Sequence, residues 1–144
     1  MSEQTFSGVM AGKRGLIMGV ANDRSIGWGI ASKLAEHGAE LAFTFQGEAL
    51  QKRVIPLAES VGSNLVLPCD VTDEASVDAV FDRLKSEWGE LDFVLHAIAY
   101  SDKEELKGGY VDTSRDNFQR TMDISVYSFT EITRKATAMM KDGG

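Results

Sequence analysis

The stretch from Gly19 to Gly29 carries the most evident chemistry in the chain: Gly19, Gly27 and Gly29 surround Ser25 and Ile26, directly after the apolar run Gly15-Leu16-Ile17-Met18. Glycine lets a backbone approach a pyrophosphate closely, and free N–H groups at a helix start favour an anion. Ser25 adds a hydroxyl donor and Ile26 a backbone N–H. The spacing is not the plain G-x-G-x-x-G, and ordinary turns also place glycine after a strand. The loop alone therefore leaves a nucleotide site and a simple turn equally open.

Gln46 shifts that balance. It ends the apolar run Leu41–Phe45, roughly 20 residues past the loop, where an NAD site places the acid that reads ribose. A glutamine amide can also hydrogen-bond ribose hydroxyls. Gly47 and Glu48 follow, and neither offers a cation to an added 2′-phosphate, so NAD is favoured over NADP. Lys52 and Arg53 are the counter-evidence, although on a helix after the second strand they read as solvated charges. Asp70, at the end of a third run, can accept from an adenine amino group, and Val71 can add an apolar wall. His96 ends a fourth run near the ligand crevice of such sheets, where a packed structural histidine is at least as good a reading as a catalytic one.

Other chemistries are disfavoured. Cys69 is the lone cysteine among 144 residues, which excludes an internal disulfide; no CxxC pair or His/Cys cluster has metal-ligand spacing, so no metal is expected. A lone thiol fits a reducing compartment. The formal net charge of -7 argues against a nucleic-acid partner. The start, MSEQTFSGVMAGKRG, lacks the basic residues and apolar run of a secretory signal, and no apolar stretch reaches the roughly 18 residues of a membrane span. A cytoplasmic protein is expected.

The elements that must position these residues alternate between strand and helix. Strands are expected at Gly15–Met18, Leu41–Phe45, Leu65–Leu67 and Phe93–Ala97, four short apolar runs typical of a parallel sheet. Helices are expected from about Gly29 to His37, ended by Gly38; from Glu48 to Ser60, where Pro56 could kink or divide it; and after Thr72, read as the cap of a helix buried through Val77, Val80, Phe81 and Leu84. A loop through Lys107-Gly108-Gly109-Tyr110 has little apolar area to anchor it. It leads to Thr113, whose spacing to Asp116 resembles a capping box, and to one long helix ending near Lys141. The fold class that follows is α/β, a Rossmann-type doubly wound parallel sheet with strand order 3-2-1-4. Strand four would be an unpaired apolar edge, so residues 1–144 are expected to form the N-terminal part of a single NAD-binding domain, incomplete at its C-terminal side.

Five segments in order carry a family resemblance: Gly19–Ile26, Ala39–Gln46, Cys69-Asp70-Val71, His96–Tyr100 and Asp123–Phe129. Together they resemble the divergent short-chain dehydrogenases that act as bacterial enoyl-(acyl carrier protein) reductases. That resemblance spans essentially the whole chain. It implies NADH-dependent reduction of the double bond of an enoyl thioester on acyl carrier protein, in fatty acid biosynthesis, by a homotetramer.

Gly19, Ser25 and Ile26 would then contact the pyrophosphate side of NAD, Gln46 the adenosine ribose, Asp70 and Val71 the adenine, and Ile98 the nicotinamide half. Ser101 matches a position where the family's loop meets substrate, and Asp123 a supporting position of the catalytic relay. The family's catalytic tyrosine and lysine follow the next strand, so no catalytic residue is expected within these 144 residues. Tyr127 is no substitute: Arg134 stands seven residues later and Lys135 eight, about 80 degrees off that helical face. Tyr127 reads instead as a packing residue. A different short-chain dehydrogenase, acting on an alcohol or ketone, and a non-catalytic nucleotide-binding or oligomerisation module are the other classes compatible with the residues.

Overall fold

The computed structural model describes residues 8–144, so the first seven residues of the segment read for a signal lie outside the described residues. The sheet has four parallel strands in the order β3-β2-β1-β4. They are β1 (Arg14–Met18), β2 (Glu40–Phe45), β3 (Val66–Pro68) and β4 (Phe93–His96). The helices are α1 (Ile26–Glu36), α2 (Glu48–Ser60), α3 (Glu74–Glu87), α4 (Arg115–Met122) and α5 (Ser128–Thr137).

Side-chain alternation along the central strands builds a core on each face of the sheet. Leu16, Met18 and Ala42 point toward Val77, Val80 and Leu84 of α3 and Ile132 and Ala136 of α5. Ile17, Leu41 and Phe43 point the other way, packing with Ala31 of α1 and Val54 and Ala58 of α2. Among the described residues β4 pairs only with β1, and its four residues are all half-buried, the mark of an edge strand. Lys135 of α5 reaches α3, placing its ammonium 2.5 Å from Asp78 and 3.4 Å from Glu74.

Four local expectations are corrected. Helix α1 starts at Ile26, one turn before Gly29, which puts its first amides beside the glycine loop. Asp73, not Thr72, caps α3, its carboxylate accepting from the Ala75 amide. Ser114, not Thr113, caps α4 and accepts from the Asn117 amide, while the reciprocal carboxylate comes from Glu105 in the preceding loop, which accepts from the Ser114 amide and hydroxyl. The single long helix is instead α4, a wide turn over Asp123–Tyr127 with π geometry, and α5, ending at Thr137. Helix α2 runs unbroken through Pro56.

Candidate functional site

All four strands deliver residues to one cavity of about 210 Å³ at the carboxyl end of the sheet. Gly19 follows β1, Gln46 follows β2, Asp70 and Val71 follow β3, and Ile98 follows β4; all five line the cavity. Such a crevice, beside the first βα loop, is where open α/β sheets bind ligands.

Gly19 has φ of +100°, a backbone state that side-chain-bearing residues rarely adopt, and a Cβ there would collide with the Ala97 carbonyl. The glycine therefore lets the loop turn while β1 and the end of β4 stay in contact. Ser25 then organises the loop. Its Oγ accepts from the amides of Ala21 at 2.9 Å and Asn22 at 3.0 Å, which leaves its O–H to donate outward. Asn22 Oδ1 accepts from the Arg24 amide. Ile26, the first residue of α1, is 82% exposed, and its amide belongs to the helix turn that has no intrahelical acceptor. Ser25 and Ile26 do not line the cavity itself; they flank it, joined to it through Ala21.

Asp70 is held in place by its own loop and by α3. Its amide donates to Ser76 Oγ at 2.9 Å, and its Oδ1 accepts from the Thr72 amide and hydroxyl at 2.9 and 2.7 Å. Oδ2 has no partner among the described residues and remains an acceptor for a donor in the cavity. Beside it, burial and then the Asp70 charge push the Cys69 thiol up to about 11, so the cysteine lining this site is held as an unreactive thiol.

Ser101 lies elsewhere. It lines a neighbouring cavity of about 370 Å³ with Leu106, Tyr110, Asn117 and Phe118. Tyr100, on the first cavity, stands between the two. The loop expected to be weakly anchored is indeed poor in buried apolar groups, with Leu106, Tyr110 and Val111 exposed, but polar contacts from Asn117 and Ser114 pin it and it forms two short 3-10 turns. Tyr127, expected to pack, is half-exposed.

Thr72 and Ile124 are among the lining residues to which the sequence reading gave no role in the site. Thr72 could have been found, since a threonine two residues after an aspartate is a familiar local turn pattern. Ile124 carries no such signal, because the wide turn that presents it departs from the 3.6-residue period of a helix.

His96 is a packed side chain. Ser128 Oγ donates its only hydrogen to the Ile124 carbonyl at 2.5 Å, so it accepts from His96 Nε2–H at 2.8 Å, which places the proton of the neutral ring on Nε2. The Phe129 ring meets the imidazole edge-on at 5.5 Å. Burial lowers its pKa below the ordinary 6.5, partly offset by a hydrogen bond with its own backbone. A histidine with a lowered folded-state pKa binds protons more readily when unfolded, so stability rises with pH through that window and is lost as pH falls below about 6.5. Urea midpoints of the full-length protein are expected to fall between about pH 7 and about pH 5.5, and less so in His96→Gln, which keeps a donor for Ser128 but cannot titrate. Parallel curves for the two proteins would remove His96 from the explanation.

The family model described as enoyl-(acyl carrier protein) reductase matches residues 19–144. The chain belongs to the enoyl-(acyl carrier protein) reductase family. It is 64% identical over 138 residues to an NADH enoyl-(acyl carrier protein) reductase, number 1, of Rhizobium meliloti, a match covering 96% of this chain and 51% of that protein. The chain thus spans about half the length of the curated relatives it matches. Among solved structures, the reductase of Anaplasma phagocytophilum in complex with NAD superposes with a TM-score of 0.89 at 56% identity, covering 92% of this chain and 51% of that one. The Bacillus cereus reductase, solved with NADP+ and an indole naphthyridinone, gives 0.89 at 44% identity, covering 92% and 52%. These reductases share the parallel sheet described above.

Proposed function

We propose that the full-length protein is a cytoplasmic, homotetrameric reductase that uses NADH to reduce the double bond of enoyl thioesters on acyl carrier protein in fatty acid biosynthesis. Residues 1–144 form the N-terminal part of its single NAD-binding domain, and the catalytic tyrosine and lysine lie in the C-terminal part. The observation that carries this reading is the convergence of Gly19, Gln46, Asp70, Val71 and Ile98 on one cavity at the strand ends.

The residues fit a dinucleotide. Ser25 has a proton to donate and the first amides of α1 face the same loop, a setting for pyrophosphate. Gln46, exposed beside the cavity, would hold the ribose, and the free Oδ2 of Asp70 would take the adenine amino group against Val71. Ile98 would pack on the nicotinamide half. When bound, reduced nicotinamide supplies the hydride for the double bond. Ser101, in the adjoining cavity, would meet the acyl substrate. Support for self-association comes from Phe118, Met122, Val126 and Phe129, large apolar residues left about half exposed along α4, the wide turn and α5. The single buried cysteine fits a reducing compartment.

NADH is expected to bind the full-length protein at least about ten-fold more tightly than NADPH, because a 2′-phosphate at Gln46 would meet Gly47 and Glu48 with no adjacent guanidinium. Fluorescence titration of both cofactors, followed by oxidation of the reduced cofactor on adding a short trans-2-enoyl thioester, tests the reading. Equal or stronger NADPH binding would overturn the preference, and no cofactor oxidation by the thioester would overturn the function.

A further inference from the structure

We infer that Asn117 is a positioning residue that fixes the direction of the Ser101 hydroxyl proton and so makes Ser101 a hydrogen-bond donor to a carbonyl of the acyl substrate. The inference rests on the reading above that Ser101 meets that substrate.

Asn117 is only 4% exposed, although it sits on α4 between surface residues. Its amide orientation is determined by its neighbours. The Asp102 backbone N–H can only donate, and it donates at 2.8 Å to the atom that must therefore be Oδ1. Nδ2 consequently faces Ser101 Oγ at 3.1 Å and donates to it. The Ser101 oxygen accepts this bond, and its own proton has no acceptor among the described residues. That proton is left for the cavity that Ser101 shares with Leu106, Tyr110 and Phe118. One residue earlier, Ser125 Oγ accepts from the Tyr100 amide at 3.0 Å and lies 3.3 Å from the Tyr100 carbonyl. The loop leaving β4 is thus held on both sides of Ser101, by α4 and by the wide turn after it. The donor at its centre is oriented before any ligand arrives.

Replacing Asn117 by aspartate keeps the acceptor for Asp102 but turns the donor into a second acceptor. The Ser101 hydroxyl would then donate backward, to the introduced carboxylate, and offer the substrate no proton. In the full-length protein, Asn117→Asp and Ser101→Ala are each expected to raise KM for a short trans-2-enoyl thioester about ten-fold, the value of one lost hydrogen bond. NADH affinity should stay unchanged. The double variant should be no worse than either single one, because both changes remove the same donor.

A pH series adds a readout that packing alone would not give. Once protonated, the introduced carboxyl can donate to Ser101 as the amide did, so lowering pH from about 8 to about 5.5 should return KM toward wild type in Asn117→Asp and not in Ser101→Ala. Additive losses in the double variant, a pH-independent defect or an unchanged KM in Asn117→Asp would overturn the inference. If that variant does not fold, Asn117→Ala, which has no side-chain donor and adds no charge, should show the same non-additivity with Ser101→Ala, and additivity there would overturn it. A wild-type protein that reduces no enoyl thioester would sink the functional reading separately. Asn117 is then judged by hydrogen exchange at residues 100–102: faster exchange in Asn117→Ala than in wild type supports the positioning role, and equal rates end it.

Discussion

Purified residues 1–144 are expected to reduce enoyl thioesters at least about 1,000-fold more slowly than the full-length protein, because the developing enolate would lack its positioned donor. The chain has three tyrosines, and two are in the wrong place. Tyr110 is 78% exposed on the outer loop, and Tyr127 stands half-exposed between α4 and α5, away from the cavity-lining set. Tyr100 does line the cavity at the strand ends, but among the described residues no lysine lines it with the tyrosine. Lys135, the lysine nearest in sequence to a family-like spacing from Tyr127, is engaged by Asp78 and Glu74 on α3.

On the proposed reading, binding and chemistry separate along the protein: residues 1–144 would grip the cofactor, and the group that stabilises the transition state would belong to the rest of the full-length protein. Steady-state assays of the isolated chain beside the full-length protein, at saturating NADH, check this. Turnover of the isolated chain within about ten-fold of the full-length rate would mean that a group in residues 1–144, with Tyr100 the first suspect, supplies the donor.

Much of the architecture was legible because a parallel sheet leaves a strong mark. Buried strands are unbroken apolar runs, and β1, β2 and β4 fall within a residue of where those runs stand. Strand order followed from crossover handedness, and the cavity residues from their place at strand ends. What escaped the sequence was decided by long-range partners. The cap of α4 was misplaced because its acid, Glu105, lies upstream in the loop rather than at the local spacing a capping box uses. Asn117 looked like one more polar residue on an exposed helix, and its burial arises only because the loop after β4 folds onto it. The wide turn at Asp123–Tyr127 departs from the 3.6-residue helical period, and Tyr127, read from the sequence as a packing residue, stands half-exposed. Ile124 lines the cavity and Ser125 Oγ accepts from the Tyr100 amide.

The close approach at Gly19 gives the second large effect. Gly19→Ala is expected to destabilise the full-length protein by about 4 kcal/mol, a large share of the roughly 5–15 kcal/mol that holds a domain folded. Two costs combine. Alanine at a φ of +100° carries backbone strain of about 1 kcal/mol or more, and its Cβ would overlap the Ala97 carbonyl, a backbone group that cannot rotate aside. Relief would require β1 and β4 to separate just where Ala97 N donates to the Met18 carbonyl at 2.9 Å, adding about 1–3 kcal/mol of overpacking. Gly62 separates the two costs. It follows α2 with a similar φ of +78° but has nothing within 4 Å of where a Cβ would stand, so Gly62→Ala should show the backbone strain alone, about 1 kcal/mol. Urea unfolding of both variants reads the difference, and NADH titration should show binding lost in Gly19→Ala and kept in Gly62→Ala. Equal destabilisation by the two substitutions would mean that the loop yields around Ala97, and that the glycine serves the turn without holding β1 against β4.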